Sequence, residues 1–361
     1  MRVNWLKDLA HSSSTAGKFT FAILIVLLFF AAMGILLVLI DRAPKTGREK
    51  VQAFLFLLPA FVLLAIGLVG PIIKTAVASL TSAETDRPNC VPIPTPARCV
   101  TDAGGAWNNF AHFRWAFTDN DALVALGHTL MWTLIAPAVA TLIGLTYAYA
   151  IDKVRGEAIA KALIFLPMAV SFVGAAVIWG LMYQQPSDNG ASGLINVVLN
   201  WVGLGPLNFP TVGGWKLTLM MIVVMIWIQA GFSTVVLSAA IKGVPAELSE
   251  AATIDGASSG QAFRRIVIPS IRPTIIVVMV TISVATLKVF DLIRTFGADQ
   301  YGGDTLANMM YTQFRTAGLS AGGGTPLGEH RSAALAMEIF LLVIPFVAYQ
   351  VRQMVKARTS R

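Results

Sequence analysis

The stretch Trp215-Lys216-Leu217-Thr218-Leu219-Met220-Met221-Ile222-Val223-Val224-Met225-Ile226-Trp227-Ile228-Gln229-Ala230-Gly231-Phe232-Ser233-Thr234-Val235-Val236-Leu237-Ser238 decides the class of fold. A helix crosses the bilayer core with about 20 mostly apolar residues. This run is long enough, and its one charge, Lys216, lies within two residues of an end, where a lysine can snorkel to the headgroups. It is too long and too evenly apolar for a strand of an outer-membrane barrel, which alternates apolar and polar residues in short segments.

Six further runs read the same way. They cover 19–40, 52–73, 127–150, 159–182, 272–290 and 332–351, so the sequence predicts an all-α integral membrane protein with seven transmembrane helices. Composition agrees. Hydrophobic residues make up 56% of the 361 and charged residues 13%, with a mean hydropathy of +0.70. A soluble domain carries about 25% charged residues. These values exclude a soluble enzyme, a disordered tail and a small disulfide scaffold. The net charge of +8 fits basic loops facing anionic lipid rather than nucleic acid.

The run 19–40 follows Arg2, Lys7 and Lys18, as a signal peptide would. It is too long for a signal h-region, and Asp41-Arg42-Ala43-Pro44 follows it in place of an A-x-A cleavage site. It is read as a retained helix, which divides the chain into an N-terminal region, 1–51, and a core, 52–361.

Loop charges set the orientation. Fourteen Lys and Arg residues fall in 41–51, 151–158, 239–272 and the tail after 351. The opposite side has six, or nine with the N-terminal three. The richer side is expected to be cytoplasmic, with the C-terminus inside and the N-terminus outside. The long outward loop 74–126 then holds Cys90 and Cys99 on a proline-rich stretch. A disulfide is allowed there; two unpaired thiols are the alternative. Two cysteines exclude a cysteine-rich metal site, and no metal or cofactor is implied.

Ionisable groups within a span mark function by default. Lys288 and Glu338 are the deep ones, with Asp291 one turn beyond Lys288. Similar depth predicts that Lys288 pairs with Glu338, Asp291 or both. His128, at the edge of the third span, reads as an interfacial hydrogen-bonding residue. The first five spans lack midplane carboxylates for a proton relay, and the chain lacks H-E-x-x-H, G-x-S-x-G and G-x-x-x-x-G-K-[ST] motifs. There is no catalytic residue set, so a transport role requires a partner's energy source.

The loop between the fifth and sixth spans supplies a specific reading. It runs Lys242-Gly243-Val244-Pro245-Ala246-Glu247-Leu248-Ser249-Glu250-Ala251-Ala252-Thr253-Ile254-Asp255-Gly256, then Ala257-Ser258-Ser259-Gly260-Gln261-Ala262-Phe263-Arg264-Arg265-Ile266-Val267-Ile268-Pro269. This predicts helix, turn, helix. Pro245 suits a first helical position, Glu247 and Glu250 suit the first turns, and Gly256 suits a left-handed C-terminal cap. Ser258 and Gln261 have capping-box spacing. Arg264 and Arg265 suit the second helix's C-terminal end, and Pro269 and Pro273 are expected to stop that helix before the sixth span. Such a loop is a rigid projection: either an amphipathic hairpin on the membrane surface or a docking element.

Glu250-Ala251-Ala252, Gly256, Ile266 and Pro269 resemble the EAA loop of bacterial ATP-binding-cassette importer permeases. Ile268 stands where the family usually has Leu before the final proline. Asp255-Gly256-Ala257 resembles the carbohydrate branch, as do Leu57-Leu58-Pro59-Ala60, Trp115-Ala116-Phe117-Thr118-Asp119 and Phe165-Leu166-Pro167 before or within later spans. The first span looks like the extra helix of the larger, maltose-type subunit. The resemblance implies a permease in the bacterial cytoplasmic (inner) membrane. Its partners would be a second permease subunit, two ATPase subunits and an extracytoplasmic sugar-binding protein. Glu250, Ala251, Ala252, Asp255 and Gly256 would dock the ATPase. Met225, Gln229, Phe232, Ser283, Thr286, Lys288 and Glu338 would line the solute path, with an α-glucoside or maltooligosaccharide as solute. A secondary sugar carrier and a membrane assembly or sensor protein are the alternatives.

Overall fold

The computed structural model describes residues 48–81, 107–152, 154–184, 193–204, 213–319 and 326–359, with isolated helical positions between Thr20 and Val38. The chain separates into two units, Met1–Lys74 and Thr75–Arg361. Apart from those positions, the run 19–40 lies outside the described residues, as do Cys90, Cys99 and the glycine run at 322–324.

The described residues are helical, and their single β-bridge joins Thr81 to Trp107. Helices α1 (Arg48–Leu64) and α2 (Gly70–Leu80) are joined by a π-helical turn, Ala65–Val69. A short helix α3 (Ala111–Ala116) precedes α4 (Asn120–Ile151), whose start is capped by Asp119 accepting from the N–H groups of Asp121 and Ala122. Next come α5 (Glu157–Phe165), α6 (Phe172–Met182), α7 (Leu194–Trp201) and α8 (Gly214–Lys242). The connecting loop and next span comprise α9 (Ala246–Ile254), α10 (Ser259–Ala262) and α11 (Ile268–Leu287). The chain closes with α12 (Asp291–Phe296), α13 (Leu306–Leu319) and α14 (Pro326–Thr359).

Among the described residues, five helices are long and apolar enough to cross a membrane: Phe56–Leu80, Asn120–Ile151, Gly214–Lys242, Ser259–Leu287 and Gly328–Gln353. The expected straight span over 159–182 is instead a pair, Glu157–Ala169 and Phe172–Met182, bent by 98°; counting it as one broken span gives six. The break has a local cause. Leu166–Ala169, with Pro167 near its start, tightens into a 3-10 turn, Val170 is extended, and Ser171 then caps α6 by accepting from Gly174 N–H. Proline cannot donate into a continuing helix.

Span boundaries moved elsewhere too. The sixth span ends at Leu287 rather than 290, and Asp291 opens a separate helix. The stretch after α11 carries two helices, α12 and α13, before α14.

The core is built where α4, α8 and α11 pack together. Small residues permit this contact, as in many membrane bundles. A Cβ on Gly144 of α4 would overlap Ser233 Cβ and lie 2.8 Å from Thr234 N of α8. A Cβ on Gly231 would overlap the Ile164 carbonyl and lie 2.7 Å from Phe165 Cα, so α5 closes on the next face of α8. Both close approaches fall within residues 231–234 of α8.

Candidate functional site: a capped loop and the bundle interior

The loop between α8 and α11 folds as the helix-turn-helix that its sequence predicts. Pro245 is the N-cap of α9, one position earlier than expected, and Glu247 lies in the first turn. The C-terminal end is a Schellman motif: Gly256 N–H donates to Thr253 O at 3.0 Å and Ala257 N–H to Ala252 O at 2.9 Å. Gly256 has φ +82° and open space around its missing Cβ. The capping box is complete, with Gln261 N donating to Ser258 Oγ at 3.3 Å and Ser258 N to Gln261 Oε1 at 2.8 Å.

The second half of the loop departs from expectation. Pro269 and Pro273 do not stop a helix. Ser259–Leu287 is one continuous span, interrupted only by the π-helical turn Phe263–Val267. The π-turn closes with Ile268 N–H reaching back to Phe263 O, and Pro269 then falls in the first turn of the α-helical segment Ile268–Leu287, where a residue without N–H is tolerated. Arg264 and Arg265 consequently sit within the long helix rather than at the end of a short one, and both are exposed.

Glu250, Ala251, Asp255 and Gly256 are exposed, whereas Ala252 is buried. Ala252 thus packs inward while its neighbours face outward. Two apolar residues that sequence reasoning passed over join that outer face: Leu248 is 47% exposed and Ile254 is 86% exposed. Beside α9 lies a cavity of about 710 Å³, lined by Glu250, Ser249 and Thr253 of α9, Asp152 and Tyr149 at the end of α4, and Phe263. Tyr149 and Phe263 stack at 4.0 Å between ring centroids. Glu157 holds the same end of the bundle together by pairing with Lys161 and, at 2.7 Å, with Lys242.

The interior residues expected on the solute path divide between two apolar clusters. Met225, Gln229 and Phe232 share one face of α8 at helical spacing, with Met225 and Gln229 buried and Phe232 half-buried. Met225 belongs to a cluster with Trp132, Tyr183 and Trp227, whereas Phe232 packs in a second cluster with Ala140, Leu237 and Ile282. Ser283 and Thr286 are buried on α11; Ser283 Oγ donates to Thr133 O of α4 at 3.3 Å, and Thr286 Oγ1 to Ser283 O at 2.8 Å. The Ser283 hydroxyl ties α11 to α4 in this conformation, whereas the Thr286 bond is internal to α11.

The expected ion pair does not form. Glu338 is 4% exposed and neither carboxyl oxygen has a partner, while Lys288 is exposed. Among the described residues no ion pair joins Lys288 to Glu338 or Asp291. Because α11 ends at Leu287, Lys288 is its C-cap and leaves the helical face that was to carry it inward. His128 behaves as expected of a structural histidine, donating from Nδ1 to Asp304 O at 3.1 Å. Burial raises the Asp304 carboxyl above its ordinary range, opposed by hydrogen bonds from Asn308 and Thr305 N–H. No group of three or more His, Cys, Asp or Glu that could hold a metal ion occurs among the described residues.

The described residues form a helical bundle with a capped helix-turn-helix between two of its long helices. Residues 140–361 match the family described as "Binding-protein-dependent transport system inner membrane component", and the chain belongs to it. It is therefore a multi-pass inner-membrane transport component and not an enzyme. Among its relatives, the alpha-glucoside transport system permease protein AglF of Rhizobium meliloti is 35% identical over 306 residues, covering 84% of this chain and 82% of that one. The osmoprotective compounds uptake permease protein GgtC of a Synechocystis species is 38% identical over 251 residues, 67% of this chain and 84% of that one. The fold is similar to that of a bacterial ABC transporter involved in import of the acidic polysaccharide alginate. That likeness has a TM-score of 0.63 at 23% identity, over 87% of this chain and 98% of the other.

Proposed function

We infer that this chain, with residues 52–361 as its core, forms half of the translocation pathway of an ATP-driven importer for neutral sugars. The observation that carries the reading is the capped loop presenting Leu248, Glu250, Ala251 and Ile254 from one end of the bundle. A rigid, exposed helix with an acidic and apolar face suits the cleft of a cytoplasmic ATPase. The excess of Lys and Arg in the loops at that end supports a cytoplasmic position for it. ATP-driven closure of two ATPase subunits would move α9, and through the continuous helix Ser259–Leu287 that motion would reach the interior directly. A second permease subunit completes the pathway, and an extracytoplasmic binding protein delivers the sugar; a solved alginate importer of similar fold was captured with its substrate-bound periplasmic protein.

The solute is an α-glucoside or short maltooligosaccharide, by similarity to AglF and to a trehalose/maltose permease of Thermococcus litoralis that is 28% identical over 222 residues. Met225, Gln229, Phe232, Ser283 and Thr286 would line its path when the two interior clusters part, with Glu338 offering two unpartnered acceptors nearby on α14. The test is retention of the ATPase. The tagged chain, purified from its native membranes, should bring an ATPase subunit with it. Glu250→Arg should lose that subunit and abolish uptake of labelled maltose while the chain stays in the membrane. Normal retention and uptake in the variant would overturn the docking role.

A further inference from the structure

Two tryptophans on different helices carry buried indole N–H groups with no hydrogen-bond partner: Trp132 of α4 and Trp179 of α6. Trp132 is fully buried. Buried indoles ordinarily find an acceptor, and here two fail to do so within one apolar cluster. The same cluster holds Trp227 of α8, which meets Trp179 edge-on at 5.7 Å between centroids, and Tyr183, which lies 5.4 Å from Trp179. A cavity of about 260 Å³ opens in it, walled by Ala176, Tyr183, Leu217 and Phe296 of the cluster together with Thr295 and Tyr301. Small-molecule sites start at roughly 300 Å³, so this space suits one sugar ring rather than a polymer.

We propose that Trp132, Trp179 and Trp227 form a sugar subsite. The indole N–H groups of Trp132 and Trp179 donate to oxygen atoms of a neutral glycoside, and Trp227 offers an aromatic surface to the apolar C–H side of the ring. The proposal rests on the sugar-importer reading and adds to it residues that the resemblance did not supply. Three features support it. Donors without acceptors complement a solute rich in hydroxyl, ring and glycosidic oxygens. Aromatic faces match sugar C–H surfaces. The residues that line the cavity include no Asp, Glu, Lys or Arg, so nothing in its wall would offset the charge of an acidic sugar. In this conformation the three tryptophans lie outside the cavity lining, and Tyr183, which packs on Trp179, lines it. The α6 helix is joined to α5 only through the 3-10 turn and extended Val170, so rotation of α6 against α8 is the motion that would join the indoles to the cavity.

The experiment uses the full importer reconstituted in proteoliposomes with its binding protein, and labelled maltose and trehalose as probes. Trp132→Phe and Trp179→Phe keep an aromatic ring and remove the donor. Each should raise the concentration of sugar-loaded binding protein needed for half-maximal uptake three- to tenfold, with basal ATP hydrolysis and complex recovery unchanged. If Trp132→Phe fails to assemble, benzothienylalanine at 132 keeps the bicyclic volume and lacks the N–H. Wild-type import with unchanged half-saturation in both donor-deleted variants would overturn the subsite and leave the sugar-importer reading standing. Failure of the wild type to import either sugar, with import of an acidic or non-sugar solute instead, would overturn both.

Discussion

Gly256→Ala isolates the backbone term at the turn of the docking loop. Gly256 sits at φ +82°, and a Cβ there meets no atom within 4 Å. The substitution therefore adds no clash, and its whole cost is the left-handed conformation, about 1–2 kcal/mol for an ordinary L-residue. That energy corresponds to roughly a five- to thirtyfold change in an equilibrium constant. The Schellman bonds from Gly256 and Ala257 N–H to Thr253 and Ala252 O form only in this conformation, so the cost should appear as opening of α9's C-terminal turn. Hydrogen exchange followed at Asp255, Gly256 and Ala257 is the direct assay. The Ala variant should lose about five- to thirtyfold in protection there. Exchange in the middle of α8 should not change. Gly256→Asn should lose much less, because Asn tolerates the left-handed region. Equal protection in wild type, Ala and Asn would refute the argument that φ at this position holds the loop. Equal loss in Ala and Asn would point to side-chain bulk instead and contradict the open space around Gly256.

The remaining predictions concern the bundle. Gly144→Val should strongly reduce thermal stability of the purified complex, because its Cβ would overlap Ser233 and press on the backbone of α8; wild-type stability would show that α4 and α8 are less closely packed than described. Glu338→Gln should keep or raise thermal stability, since it replaces a carboxyl whose two buried oxygens have no partner, and a marked loss would reveal a counter-ion. Lys288→Met together with Glu338→Gln should behave as the two separate changes added, and coupling between them would restore the ion pair. Burial raises the Asp304 carboxyl in the folded protein, so its contribution to stability is fully present below the unfolded carboxylate range and is lost as pH rises through the higher folded value. Asp304→Asn should flatten that part of a thermal-stability pH profile, and an unchanged profile would remove Asp304 as its source.

What was legible in the sequence follows the physics of each signal. Spans were readable because the bilayer demands about 20 apolar residues whatever the tertiary contacts. The cap residues Ser258, Gln261 and Gly256 were readable because each acts within four residues of itself. Proline misled twice, for one reason. At Pro167 the chain broke a span that the hydropathy treated as straight, whereas at Pro269 the helix continued after a π-helical turn. Which outcome occurs depends on where the proline falls, and Pro269 sits in the first turn of the α-helical segment that follows the π-turn, where its N–H is not required. The Lys288–Glu338 pair failed because equal depth along two helices says nothing about rotation at a helix end, and termination at Leu287, three residues before the expected end, turns Lys288 outward. The unpartnered indoles of Trp132 and Trp179 had no sequence signal at all: an apolar run places a tryptophan inside, but only the packed bundle decides whether an acceptor arrives with it. That asymmetry explains why the interior polar atoms without partners, rather than the charges, are where the solute is expected to be read. An importer driven by a partner's ATP needs no titrating relay, and it must release its cargo, so a few neutral donors and aromatic faces suit its path better than a fixed ion pair would.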